Sequence, residues 1–489
     1  MYKINWKICF ENSAPMAGTA ELTSGAWRLT PVLPEDVIVS AEAVLDLPTA
    51  ADEKIFINGY QTWTACPEYT RRDKIRGVGP YPRALVRHFG MDRYGDNFFV
   101  DYPQKRGVLH GESWCYFRRG EFFRLIASLD ERPGYTMFRY EAEPGKLIIS
   151  RDCAGVRCGG EYKVFELFFA EGGENAVFDA WFAAMGIKPR TLKKLAGYSS
   201  WYNRYQNISE ASIRADLAGA AALLRPGDLF QIDDGWEPAV GDWLITDAKK
   251  FSHGLKPLAD DIHAEGLLAG LWLAPFVCQK NSAIMREHPD WLLLHDGKPW
   301  YCGCNWGGFY ALDIDNPEFV AYLEESFRRV FDDWGFDLVK LDFLYAAAPF
   351  GDEHESRAGR MTRAVELLRR ICGDKLILGC GVPLMPAFGV FDYCRISCDV
   401  GLDWNNNIFV RAANRESVST RRAIFNSVFR RQLSGRAFLN DPDVFFLRED
   451  NIKLSAEQKH KLATVNSLFG GLLLCSDNMG QYTPAAREA

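Results

Sequence analysis

The stretch "LVKLDFLY" (residues 338–345) is an apolar run interrupted twice, by Lys340 and Asp342. A short aliphatic run of this kind reads as a buried strand, and burying charge is costly unless the charge is paired or used. Side chains alternate across a strand, so residues two apart project to the same side. Lys340 and Asp342 therefore point together. The ammonium favours the ionised carboxylate and can also bind substrate hydroxyls.

Working outward from this run, apolar strand-like segments alternate with amphipathic helical ones, the pattern of βα units in a parallel sheet. Eight candidate strands follow in order: "AGYSSW" (196–201), "LFQIDDGW" (229–236), "LLAGLWLAPF" (267–276), "LVKLDF" (338–343), "LILGCGVP" (376–383), "FDYCRISCD" (391–399), "RAFLNDPDVF" (436–445) and "GLLLCSD" (471–477). Segments such as "SEASIRADLAGAAALL" and "NPEFVAYLEESFRRVFDDWGF" supply helices between them. Eight such strands over about 280 residues match the size of a (β/α)8 barrel. An open doubly wound sheet would carry a Gly-rich phosphate loop after its first strand, and "AGYSSWYNRY" is not one.

Residues 1–175 read differently. Short alternating runs, among them "EKIFINGYQTW", "NFFVDYPQKRGVLHGESWCYFRR" and "EFFRLIASLDE", are separated by Gly, Pro and Asp turns, as in a β-sandwich. The expected organisation is α/β: an N-terminal β-sandwich (1–175), a helical and basic linker (176–195), a catalytic (β/α)8 TIM barrel (196–478) and a tail (479–489).

Composition bounds the partners. A net charge of −7 leaves no basic excess to hold nucleic acid or an anionic membrane, so a neutral small molecule fits better. No run approaches the roughly 20 apolar residues of a membrane helix. The start, "MYKINWKICFENSAPMAG", lacks the apolar core of a secretory leader. Thirteen cysteines without paired CxxC spacing suggest free thiols in a reducing, cytoplasmic setting. Eight histidines form no HxH or HExxH pair and avoid the candidate strands, so neither a metal nor any other cofactor is expected. Aromatic residues are abundant, which suits either sugar stacking or simply a large aromatic core.

In a barrel the active site lies at the C-terminal ends of the strands. Polar residues collect there: Trp201 and Tyr202, Asp233 and Asp234, Trp272, Lys340 and Asp342, Cys380, Arg395 and Asp399, Asn440, Asp441 and Asp443, and Asp477. One aspartate after a strand is usually a cap or turn residue. Caps do not explain a charged pair inside a strand, and carboxylates recur at five strand ends. One ionised carboxylate with a second two strands away meets the needs of glycoside cleavage, where one attacks the anomeric carbon and the other handles the leaving-group proton. Arg395, four residues before Asp399, is placed to hold the site's carboxylates.

Six motifs, "FQIDDGW…GDW", "GLWLAPF", "VKLDF", "LGCGVPLMPAFG", "RISCD" and "LNDPD", occur in an order that resembles the α-galactosidases of glycoside hydrolase family 36, particularly the short bacterial type. The resemblance implies a retaining double displacement that removes terminal α-linked galactose, with Asp342 as nucleophile and Asp399 as acid/base. It also implies that Asp233, Asp234, Lys340, Cys380, Arg395, Trp201 and Trp272 belong to the sugar site, with Tyr202 beside them. Relatives place an aromatic residue from the β-sandwich over the site. Trp63 of "NGYQTW" is the candidate, an ordinary core position being the alternative. Two departures stand out: "LAPF" replaces the "EPE" of long members, and relatives continue into a small antiparallel β domain beyond the end of this chain. The expected partner is a galactose-containing oligosaccharide or glycoside, with self-association left open. The alternatives are an α-N-acetylgalactosaminidase or α-galactosaminidase, a transglycosylase, and a carbohydrate-binding protein without catalysis.

Overall fold

The computed structural model describes residues 2–79, 81–405 and 414–488. The N-terminal third is built from two antiparallel sheets. One runs in the order Met16–Leu22, Tyr2–Phe10, Val32–Asp46, Lys146–Asp152, Tyr135–Glu141, Val108–Glu112, and Arg157–Glu161 pairs with its long strand Val32–Asp46. The other runs Gly25–Leu29, Phe165–Gly173, Phe122–Ser128, Trp114–Arg119, Lys54–Ile57. Their inner faces follow strand alternation and bury Ile4, Ile8, Leu45, Phe117, Ile126, Phe138 and Leu147 in one core. The helix Glu174–Met185 then leads away, ended by Gly186 at φ 70°, a left-handed position that favours glycine.

All eight expected barrel strands form and pair in parallel: Leu195–Ser199, Leu229–Ile232, Leu268–Leu273, Leu338–Leu341, Leu376–Gly379, Tyr393–Arg395, Leu439–Asp441 with Val444–Phe445, and Leu472–Cys475. The seventh is broken at Pro442, which has no amide hydrogen for a ladder. Its first half pairs with the sixth strand and its second half with the eighth, which also pairs with the first. The sheet thereby closes on itself, a TIM barrel behind an N-terminal sandwich.

Two expectations need correcting. "NGYQTW" does not continue the strand that ends at Ile57, and residues 97–107 are not a strand either. Instead the chain leaves the sandwich over 58–79 and 81–107 as a long excursion that, among the described residues, holds one short helix, Arg83–Phe89. Its polar backbone is satisfied by the barrel. Thr62 N–H donates to the Val382 carbonyl at 3.0 Å, and Gly381 N–H to Thr62 Oγ1 at 2.9 Å. Arg430, with no exposed surface, donates to Asn58 Oδ1, to the Thr62, Gln61 and Ile396 carbonyls and to Cys66 Sγ. A second unexpected insertion follows barrel strand three: Val277–Gln279, Tyr301–Gly303 and Phe309–Ala311 make a small antiparallel sheet. Both insertions end up over the barrel mouth.

Candidate active site

A cavity of about 420 Å³ opens at the C-terminal ends of the barrel strands. Its lining includes Trp201, Asp233, Asp234, Trp272, Lys340, Asp342 and Asp399 from the barrel, together with Trp63 from the sandwich. Six separate strand ends or loops thus converge, although these residues span most of the chain.

Lys340 and Asp342 do project together, with Nζ 4.0 Å from Asp342 Oδ2 and 2.9 Å from Asp233 Oδ2. Burial works against the ammonium, yet the two carboxylates outweigh it and raise its pKa. Asp342 is held on both oxygens: Trp272 Nε1–H donates to Oδ2 at 3.1 Å and Phe343 N–H to Oδ1 at 2.9 Å. The second bond needs Phe343 at φ 55°, ψ 30°, a left-handed conformation that a bulky residue adopts only when its surroundings impose it. Here Phe343 is wedged among Trp63, Trp306 and Phe309, with ring centroids 4.9–5.3 Å away.

Asp399 differs in kind. Its side chain keeps 36% of its surface, against 11% for Asp342. Burial in the cavity wall raises its pKa, opposed by Arg395, whose Nη1–H donates to Oδ1 at 2.7 Å. The same guanidinium binds Asp441 through Nε at 3.0 Å and lies 3.0 Å from Asp443 through Nη2. Arg395 is thus fully engaged by three carboxylates. Burial lifts Asp443 to about 6, and Tyr202 donates its hydroxyl to Asp443 Oδ2 at 2.5 Å. Tyr202 and Arg395 do not line the cavity; they stand behind Asp399 and hold its support.

Asp233 accepts Gln231 Nε2–H at 2.6 Å besides Lys340. Asp234 accepts Trp306 Nε1–H at 2.9 Å and Gln206 Nε2–H at 3.0 Å. Glu237, buried beside Asp234, is pushed well up by burial and by the Asp234 charge. Burial raises Asp234 as well, so the two carboxyls are both pushed up. Cys380 is buried outside the lining, and Trp63 Nε1–H donates to its sulfur at 3.3 Å. Burial pushes that thiol well up, which makes it an inert acceptor that orients the indole. Gly381 allows this approach: a Cβ there would lie 2.9 Å from both Trp63 Cζ2 and Phe343 N.

The sequence reading missed Trp306, Asn305 and Cys304 from the insertion after strand three, and Phe89, Met91 and Tyr94 from the sandwich excursion. It also missed Asn414, Glu416, Ser417 and Val418. Only "CGCNWGG" offered a signal, as a glycine-rich turn carrying a tryptophan; Trp306 sits at φ 53° within it. Asp477 and Asn440 lie outside the cavity. Asp477 accepts backbone N–H groups of Leu447 and Arg448, the ordinary turn role. No cluster of three or more metal-ligating side chains occurs among the described residues. Among them, too, no helix is long and apolar enough to cross a membrane.

Comparison with known proteins agrees with this picture. Residues 198–365 match the melibiase family. A solved α-galactosidase from Thermus thermophilus, in complex with stachyose, superposes with a TM-score of 0.76 at 27% identity, covering 95% of each chain. The family 36 α-galactosidase AgaA of Geobacillus stearothermophilus shares the fold, with a TM-score of 0.61 at 14% identity over 99% of this chain and 74% of that one. An α-galactosidase of Escherichia coli is 30% identical over 172 residues, which is 34% of this chain and 23% of that protein. The matched stretch thus spans about a quarter of this curated relative. Residues 198–365 are thus similar to the melibiase family, and the relatives named here are α-galactosidases.

Proposed function

We propose that the protein is a retaining, exo-acting α-galactosidase that removes terminal α-linked galactose from oligosaccharides by double displacement. The observation that carries the reading is the asymmetry of two carboxyls on one cavity. Asp342 is fixed by two N–H donors beside an ammonium, whereas Asp399 is raised by burial and more open.

These environments suit opposite roles. Asp342, fixed by its two donors, attacks the anomeric carbon as the glycosidic bond breaks. Asp399 gives its proton to the departing oxygen. The sugar is then joined to Asp342 as an ester, and Asp399, now a carboxylate, takes a proton from water as that water displaces Asp342. Two inversions restore the α configuration. Lys340, Asp233 and Asp234 have the donors and acceptors to bind galactose hydroxyls, and Trp63, Trp201, Trp272 and Trp306 offer faces for its C–H surface. Arg395, Tyr202 and Cys380 position their neighbours from behind. The stachyose bound by the Thermus relative supports a galactosyl oligosaccharide as substrate.

The test is hydrolysis of 4-nitrophenyl α-galactoside beside the α-N-acetylgalactosaminide, α-glucoside and β-galactoside, with wild type and Asp342→Ala. The expected result is α-galactoside cleavage that is lost in the variant and restored by azide as β-galactosyl azide. Cleavage of the N-acetylgalactosaminide alone would reassign the sugar. An Asp342→Ala enzyme of undiminished activity would end the mechanism.

A further inference from the structure

We propose that Glu237 is a positioning residue of the sugar site, holding one proton in common with Asp234 and so fixing how Asp234 meets a sugar hydroxyl. The assignment rests on the reading of the cavity as a galactose site and adds to it a residue outside the lining.

The fold treats the two adjacent aspartates of "QIDDGWE" (231–237) differently. Asp233 has the Lys340 ammonium at 2.9 Å. Asp234 lines the cavity, and the N–H donors that reach it among the described residues are neutral: Gln206 Nε2–H at 3.0 and 3.1 Å and Trp306 Nε1–H at 2.9 Å. Its other partner is a second carboxyl. Glu237 is buried and hydrogen-bonded, side chain to side chain, to Asp234. The contact is built into the turn between them. Gly235 sits at φ 117°, and its N–H donates to Glu237 Oε2 at 3.3 Å. A Cβ at this position would lie 2.8 Å from Gln206 Cα, so only glycine lets the Gln206 backbone pass so close. Lys250 Nζ ties the Gly235 and Gln206 carbonyls together, 3.0 Å from each. Trp236 pins the same turn by donating its indole N–H to the Trp272 carbonyl at 2.9 Å.

An ionised carboxyl is only an acceptor, so two of them hydrogen-bond to each other only with a proton between them. Two negative charges in contact, out of water and without a cation of their own, are also the costlier state. One proton on the pair removes both difficulties, and the upward push of burial on both carboxyls agrees with it. Whichever carboxyl carries it, that proton points at its partner and not into the cavity. A sugar hydroxyl approaching Asp234 therefore comes as a donor, onto a carboxyl whose orientation Glu237, Gln206 and Trp306 hold. The pair carries one negative charge in place of two, which leaves the Lys340 ammonium to Asp233 and Asp342.

Kinetics and infrared spectroscopy of the whole protein test the assignment, with Glu237→Gln and Glu237→Leu beside the wild type. Glutamine keeps the shape and an N–H for Asp234, whereas leucine keeps only the bulk. With 4-nitrophenyl α-galactoside, Glu237→Leu should lose about tenfold in kcat/KM, mainly through KM, as for one hydrogen bond to a charged group. Glu237→Gln should stay within about threefold of the wild type. Equal damage in both variants, or none in either, would overturn the positioning role. At neutral pH the infrared difference between wild type and Glu237→Gln should contain the C=O stretch of a protonated carboxyl. A difference confined to ionised carboxylate bands would overturn the shared proton. This second comparison needs no turnover, so it separates failure of the assignment from failure of the catalytic reading, and it stands on Glu237→Gln alone if Glu237→Leu does not fold.

Discussion

Replacing Lys340 by Met keeps an unbranched side chain one atom shorter and removes its charge. The ammonium lies 4.0 Å from Asp342 and 2.9 Å from Asp233, both nearly out of solvent. At an effective dielectric of about 20, these separations correspond to attractions of about 4 and about 6 kcal/mol. Removing the ammonium leaves two buried carboxylates without their cation, and entering water will restore only part of these attractions, so the unfolding free energy should fall by about 3–5 kcal/mol. The assay is urea denaturation at neutral pH, beside kcat/KM for 4-nitrophenyl α-galactoside, which should fall because the cavity loses a cationic donor. A Lys340→Met protein as stable as the wild type would refute the claim that these two carboxylates and the buried ammonium hold one another in place.

Other outcomes follow from the same geometry. Asp399 is raised by burial and must be protonated to act as an acid, so kcat/KM should fall as pH rises through its pKa. Asp399→Ala should remove that limb and harm substrates with poor leaving groups far more than 4-nitrophenyl ones; equal loss on both would argue against the acid role. Arg395→Met leaves Asp399, Asp441 and Asp443 without their shared cation. A loss of about 3–5 kcal/mol in unfolding free energy is expected near neutral pH, measured in urea, and it should shrink in acid as the carboxyls take up protons. Gly381→Ala puts a methyl group 2.9 Å from Trp63 and from the Phe343 amide, at φ 59°. It should cost about 1–3 kcal/mol of stability and lower kcat/KM, with a change in tryptophan fluorescence as Trp63 shifts.

The barrel was legible because its signals are local. Apolar runs of strand length, helical segments between them and carboxylates at strand ends are all readable residue by residue, and two-residue alternation alone put Lys340 and Asp342 on one side. The break of strand seven at Pro442 was not legible in this way: "RAFLNDPDVF" reads as one strand despite the missing amide hydrogen. The excursion 58–107 was not legible. "NGYQTW" has the alternation of a strand, and only the barrel's offer of Val382, Gly381 and Arg430 as partners draws it out of the sheet. Trp306, Tyr94 and Glu416 reached the cavity for the same reason. Their neighbours in space are far away in sequence, and only the glycine-rich turn around Trp306 leaves a local mark.

The barrel's share of the site was likewise legible, but its division of labour could be read only through the family resemblance, not from the residues themselves. Asp342 and Asp399 are the same residue type at equivalent strand ends. Two fixed donors, a nearby ammonium and a strained Phe343 make one of them a held carboxylate, while burial raises the other. Those differences are properties of surroundings assembled from distant segments through packing and a low local dielectric. The chemical groups and the scaffold that aligns them are set by the order of residues along the chain; which carboxyl keeps its proton is decided only when the chain has folded.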